Sequence, residues 1–96
     1  MKKLRWSMAA ASDLDGISNY LRLHYPALAA STVLRIYDAS KSLKRFPERG
    51  RPGRLNGTRE LVLAPLPYLI LYSVRDDSVN VLRILHGAQE RLFESE

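Results

Sequence analysis

The chain has 96 residues, the size of one small domain with a modest core and little room for a deep substrate cavity. It contains no cysteine and only two histidines, which excludes disulfides, thiolate metal sites and cysteine nucleophiles. We expect neither a metal nor another cofactor. The net charge is +5, and seven of the 15 lysines and arginines lie between Lys41 and Arg59, where Glu48 is the single acidic residue. This clustering favours a polyanionic target or an acidic partner.

The N-terminal segment is basic, but no long apolar run follows it. Asp13 and Asp15 lie where the apolar core of a signal sequence would have to be. We therefore expect neither a signal peptide nor a membrane span, and a cytoplasmic location. No linker, repeat or low-complexity segment divides the sequence, so residues 1–96 are expected to form a single domain.

The first half of the chain predicts one strand and two helices. In residues 3–7 apolar and basic side chains alternate, which is typical of a strand, and Ser7 suits the N-cap of a following helix. Residues 8–25 carry apolar side chains at spacings of three and four, which predicts an amphipathic helix. Pro26 interrupts that helix and suits the first turn of a second one. The second helix is expected to end near Phe46, because the next residue is a proline.

The second half predicts a loop and three strands. Residues 48–57 contain three glycines and a proline, which indicates a loop. Residues 58–64, 67–75 and 79–85 each have the pattern of a strand. The middle segment is apolar on both faces, as a central strand would be. A turn at residues 76–78 joins the last two strands as an antiparallel hairpin.

The order of these elements predicts an α+β fold. An N-terminal strand and a helical hairpin precede a three-stranded antiparallel meander. The helices must bury their apolar stripes on one face of the resulting four-stranded, mainly antiparallel sheet. The other face is then available for a concave, basic surface.

Arg83 and His86 are the first candidates for chemistry. Arg83 lies among apolar residues of the last strand, where its guanidinium needs solvent or an ion-pair partner such as Glu60. Alternatively, it binds phosphate in a bidentate manner. His86 could be a general acid or base in RNA cleavage, or a strand-end histidine bonded to backbone. Because side chains alternate along a strand, the two share a site only if the strand ends or bulges near Leu85.

A second group of candidates lies in the predicted loop. Arg49, Arg51 and Arg54 fall within ten residues that also contain three glycines. Cations on a flexible loop contribute little to stability, so we interpret these arginines as target- or phosphate-binding residues. The alternative is a solvated loop.

Six motifs follow one another along nearly the whole chain. They are Trp6-Ser7, Asp13-Leu14-x-x-Ile17-x-x-Tyr20-Leu21, Pro47-x-x-Gly50-Arg51, Gly57-Thr58-Arg59-Glu60-Leu61-Val62, Pro67-Tyr68-x-Ile70-x-Tyr72-x-Val74 and Val81-Leu82-Arg83-Ile84-Leu85-His86-Gly87-Ala88-Gln89. In this order and spacing they resemble the RelE/ParE superfamily of bacterial toxins from type II toxin–antitoxin modules.

The resemblance implies a toxin that arrests bacterial growth and is neutralised by direct binding of its cognate antitoxin. ParE-like members inhibit DNA gyrase and have no nuclease site, and the ending at residues 83–87 looks more like theirs. RelE-like members are ribosome-dependent mRNA endonucleases, and in that case Arg59, Arg83 and His86 would be catalytic. The chain departs from the RelE pattern, since it has no lysine in the loop and no tyrosine after the last strand. ParE-type inhibition is the favoured hypothesis, with the RelE-type nuclease and a non-toxic nucleic-acid-binding module as alternatives.

Overall fold

Two helices and five strands make up the part of the chain that the structure describes. This computed structural model describes residues 1–87. The elements in chain order are β1 (Lys3–Trp6), α1 (Met8–His24), α2 (Pro26–Ser42), β2 (Arg51–Pro52), β3 (Arg59–Val62), β4 (Tyr68–Val74) and β5 (Ser78–His86).

Local sequence signals place the ends of the helices. The side chain of Ser7 accepts a hydrogen bond from the Ala10 N–H and so caps α1, as predicted. Pro26 stands in the first turn of α2, which begins after a single connecting residue. α2 ends at Ser42, four residues before the predicted end at Phe46, because the chain tightens into a turn there. In that turn the Leu43 N–H donates to the carbonyl three residues back instead of four.

The sheet has the order β1-β5-β4-β3-β2, with β1 parallel to β5 and every other pair antiparallel. The predicted α+β class, the four predicted strands and the meander are confirmed. The prediction that residues 48–57 form a loop throughout is wrong, because β2 pairs Arg51 with Glu60 and Pro52 with Arg59. Two residues, one of them a proline, are too short to show a strand pattern.

The helices cover one face of the sheet. Their apolar stripes meet alternate residues of the strands, and Ile36, Ile70 and Tyr72 are fully buried in this main core. On the opposite face Leu69, Leu71 and Leu85 form a second, smaller buried cluster. β4 therefore contributes buried side chains to both faces, as expected of a central strand.

A β-bulge interrupts the pairing of β4 with β5. Tyr72 pairs with Val81 and Leu71 pairs with Arg83, so Leu82 is the extra residue. From Arg83 to His86 the pairing is regular again. No strand end or bulge therefore lies between Arg83 and His86, although the two side chains would need one there to share a site.

Candidate functional site

The hydroxyl of Tyr72 fixes the start of the arginine loop to the sheet. It donates a hydrogen bond to the Pro47 carbonyl at 2.7 Å and accepts one from the Gly50 N–H at 2.8 Å. A Cβ at Gly50 would lie 2.7 Å from this hydroxyl and 2.9 Å from the Glu60 carbonyl, so only glycine fits. Burial raises the pKa of Tyr72 above its ordinary value, although the Gly50 N–H, Arg59 and Arg49 act in the opposite direction. The loop therefore begins from a rigid, buried contact.

Glu60 organises the middle of the same loop. Its side chain is only 3% exposed, and one carboxylate oxygen accepts hydrogen bonds from Arg51 Nε at 3.3 Å and Nη2 at 3.1 Å. The other oxygen accepts the backbone N–H of Arg54 at 3.1 Å. A buried carboxylate needs such partners. Arg51 thus compensates an internal charge, a structural role that the sequence did not predict for it.

Two further arginines donate hydrogen bonds within the same region. Arg59 donates to the Gly50 carbonyl at 2.8 Å, and Arg49 donates to the Ser42 hydroxyl at 2.8 Å. The structure thus brings the predicted basic residues of the loop together. It also engages them in holding the loop against the sheet and the end of α2.

Arg83 forms an ion pair with Asp13 of α1. Its Nε and Nη2 lie 2.7 and 2.9 Å from the two carboxylate oxygens, which makes the contact bidentate. These hydrogen bonds and the charge of Asp13 raise the pKa of Arg83 above its ordinary value. The ion pair with Glu60 considered from the sequence does not form, because Glu60 bonds to Arg51 and Arg54 instead.

Asp13 also completes the hydrogen bonding along the edge of β5. β1 pairs with β5 only as far as Val81, and beyond that point no strand within residues 1–87 lies beside β5 on this side. The Ser7 hydroxyl donates to the Leu82 carbonyl at 2.8 Å, and Asp13 accepts the Ile84 N–H at 3.0 Å. Beyond the end of β1, side chains of Ser7 and of α1 therefore provide the hydrogen-bond partners for the backbone of β5.

His86 lies apart from Arg83. The regular pairing between them places the two side chains on opposite faces of β5. The His86 ring contacts Tyr68 edge-on, with centroids 5.6 Å apart. Together with Tyr20 and other residues of α1 it lines an open groove of about 410 Å³.

Neither Asp13 nor the anchoring hydroxyl of Tyr72 was predicted as part of this region. Asp13 lies 70 positions from Arg83, and no sequence spacing indicates a contact over that distance. The motif containing Asp13 was a signal that the position matters, but it does not reveal the partner. Tyr72 has the pattern of a core residue, which it is, and its polar role depends on the loop path.

Residues 1–87 contain neither a cluster of metal-binding side chains nor a membrane-spanning helix. No three histidine, aspartate or glutamate side chains in that range come together as metal ligands. Neither of the two helices there is long and apolar enough to cross a membrane.

Comparison with known sequences places this arrangement in a family. The family model described as ParE toxin of type II toxin-antitoxin system, parDE, matches residues 4–91. A protein of Sinorhizobium fredii that is named as a toxin, Y4kP, is 43% identical over 89 residues, 93% of this chain and 92% of that protein. Toxin RelE2 of Caulobacter vibrioides is 39% identical over 89 residues, 93% of this chain and 99% of that protein.

Solved structures agree with this placement. A chain of the chromosomal ParDE TA system from P. aeruginosa superposes with a TM-score of 0.82 and 30% identity, covering 90% of this chain and 96% of that one. The conserved protein HP0894 from Helicobacter pylori has the same fold, with a TM-score of 0.58 at 22% identity over 92% of this chain and 97% of that one. The chain therefore belongs to the ParE toxin family of the RelE/ParE superfamily, and it is the toxin of a type II toxin–antitoxin system whose partner is a cognate antitoxin.

Proposed function

We propose that this toxin arrests bacterial growth by inhibiting DNA gyrase, and with it replication, without cutting RNA. The observation that carries the proposal is the separation of the three candidate nuclease residues. Arg83 is held by Asp13, Arg59 is bonded to the Gly50 carbonyl, and His86 lies on the other face of β5 from Arg83. General acid–base cleavage needs its groups within hydrogen-bond reach of one phosphate. This arrangement does not supply that convergence.

The similarity to the ParDE chain gives further support. At 30% identity and a TM-score of 0.82 it covers nearly all of both chains. A gyrase inhibitor needs a rigid binding surface more than a reactive centre, and the anchored loop of Arg49, Arg51 and Arg54 is suited to that. We assign these three arginines to target binding, with Arg51 retaining its bond to Glu60.

The alternative is a RelE-type, ribosome-dependent mRNA endonuclease with Arg59, Arg83 and His86 as catalytic residues. The name of the Caulobacter relative, RelE2, supports this alternative. It would require Arg83 to exchange Asp13 for a phosphate when mRNA binds. Both targets are cytoplasmic, so either function places the toxin in the bacterial cytoplasm.

Pulse labelling after induction without antitoxin distinguishes the two targets. Inhibition of gyrase predicts that thymidine incorporation stops first and that cells filament. It also predicts that His86→Gln leaves this effect unchanged, because His86 then has no chemical role. Tyr20→Phe, a change in the same groove, is the matched control. An early stop in amino-acid incorporation that His86→Gln abolishes would overturn the proposal in favour of the nuclease.

A further inference from the structure

Within the described part of the chain, three exposed cations without a side-chain partner lie close together, away from the arginine loop. Lys3, Arg5 and Arg75 are exposed, and among residues 1–87 their side chains take part in no ion pair and no hydrogen bond. They come from β1 and from the turn after β4, which are far apart in sequence. The fold therefore creates a basic surface that no pattern in the sequence predicts.

Strand pairing places these three residues side by side. In one row across the sheet Lys3 pairs with Ser78, whose carbonyl accepts the Arg75 N–H at 2.8 Å. In the next row Arg5 pairs with Asn80, and Asn80 with Ser73. Neighbouring strands lie about 4.8 Å apart and alternate residues about 7 Å apart, so the Cα atoms of the three residues lie within roughly 12 Å of one another.

This surface lies on the face of the sheet opposite the helices. Leu4 and Trp6 pack against the main core, so Lys3 and Arg5, which alternate with them, point away from it. A shallow concavity of about 580 Å³ opens here. Its lining includes Arg5, Ser73, Arg75, Asp77 and Asn80.

The chemistry of the lining fits phosphodiester oxygens. Guanidinium, amide and hydroxyl groups are the usual donors to nucleic-acid phosphates. Asp77 is the acidic residue of the concavity, and with Lys3 beside it the balance of charge stays positive. The apolar side chains of the lining, Trp6, Val81 and Leu82, are at least partly buried.

A protein partner would be expected to use a different surface. Protein interfaces are anchored by exposed aromatic and aliphatic side chains. In the described chain such residues are prominent on the helical hairpin, where Leu23, Leu28 and Leu34 are each more than half exposed. The concavity beside Arg5 has none of them.

We propose that Lys3, Arg5 and Arg75, with Ser73 and Asn80, form a binding surface for the sugar–phosphate backbone of a nucleic acid. Both candidate targets of the toxin carry one, DNA on gyrase and mRNA on the ribosome. Contact with that strand would hold the toxin beside its target. The surface would bind nucleic acid in the absence of either target, so its test is independent of the proposed function.

Fluorescence anisotropy with a short labelled oligonucleotide, single-stranded and duplex, tests the surface on the purified full chain. The variant Lys3→Gln/Arg5→Gln/Arg75→Gln should raise Kd about tenfold or more. The slope of log K against log salt concentration should fall by about two to three, since each lost phosphate contact removes about 0.7 to 0.9. The control Arg22→Gln/Arg35→Gln/Lys41→Gln removes the same charge from the helices and should leave the slope nearly unchanged.

Two results with the variants would overturn the proposal. One is an equal loss of binding in both triple variants, which would indicate attraction by net charge alone. The other is unchanged oligonucleotide binding with a weakened antitoxin complex, which would assign the surface to an acidic protein. Amide chemical-shift changes in the wild-type chain give a measurement that needs no variant. On titration with the oligonucleotide they should concentrate in residues 3–5, 73–75 and 80, and their absence there would also contradict the proposal.

Discussion

The hydroxyl of Tyr72 joins the buried core of the sheet to the start of the arginine loop. It lies in the fully buried centre of the main core and bonds both Pro47 and Gly50. A tyrosine hydroxyl in such a place stabilises only as long as both partners stay in position. The loop that carries the proposed target-binding arginines is therefore positioned from inside the core.

Tyr72→Phe tests this anchor. The change leaves the Gly50 N–H and the Pro47 carbonyl without their partner, so the free energy of unfolding should fall by about 1–3 kcal/mol. Tyr68→Phe is the matched control, since Tyr68 is also buried and its hydroxyl makes no hydrogen bond within residues 1–87. Urea unfolding followed by circular dichroism gives both values, and equal losses would contradict the anchoring role.

The same residue makes stability depend on alkaline pH. Burial raises the native pKa of Tyr72 and of Tyr68 above the ordinary value of 10.0. The native state thus favours the protonated phenol, and this contribution is complete below pH 10.0 and lost as pH rises through the native pKa values. The unfolding free energy should fall above pH 10.0, and less steeply in Tyr72→Phe than in the wild type. An identical pH profile for the two proteins would contradict the expectation.

Substitution by alanine should have opposite effects on stability at Gly50 and at Gly16. At Gly50 a methyl group would meet the Tyr72 hydroxyl at 2.7 Å, so Gly50→Ala should destabilise the fold by about 1–3 kcal/mol. At Gly16, within α1, nothing lies within 4 Å of an added Cβ. Gly16→Ala should therefore stabilise by about 0.5–1 kcal/mol through helix propensity. Thermal unfolding of the two variants checks both signs.

At the scale of elements, the sequence predicts what depends on neighbours along the chain. The Ser7 cap, the start of α2 at Pro26 and the two-faced burial of β4 all follow from local pattern, and the structure confirms them. The bulge at Leu82 and the pairing of β2 depend on which strands meet, so no local pattern contains them.

The candidate site shows the same division. Sequence reasoning identified the arginines and His86 as residues of interest. It could not show that Arg83 is bonded to Asp13 and Arg51 to Glu60, because these contacts are set by the tertiary fold. A sequence shows the charge of an arginine, but it does not show whether that arginine can bind a target or is already bonded within the fold.

A double-mutant cycle measures the contact that couples α1 to β5. Asp13→Asn and Arg83→Gln should each lower the unfolding free energy by about 1–3 kcal/mol, because each leaves a partly buried charged partner without its counter-charge. The double variant should lose less than the sum of the two, with a coupling energy of about 0.5–3 kcal/mol. Additive losses would show that the bidentate contact contributes little.

At the scale of the whole molecule, the basic residues that cluster in the sequence differ from those that cluster on the surface. The dense basic segment from Lys41 to Arg59 suggests one polyanion-binding loop. In the fold several of its arginines hold that loop in place, while Lys3 and Arg5 of β1 lie near Arg75 of the turn after β4. The apolar outer side of the helical hairpin adds a third kind of surface. A toxin that must meet both a target and an antitoxin has use for such distinct surfaces.

Toxicity of the whole protein separates a structural Arg83 from a catalytic one. If Arg83 acts by fastening α1 to β5, then Asp13→Asn should reduce growth arrest about as much as Arg83→Gln, since both remove the same contact. Both losses should grow with temperature as the junction opens. Asp15→Asn is the control, because Asp15 is an exposed acid of the same helix with no ion pair among the described residues. A nuclease makes the opposite prediction: Arg83→Gln abolishes toxicity at every temperature, whereas Asp13→Asn frees the guanidinium for phosphate and preserves it.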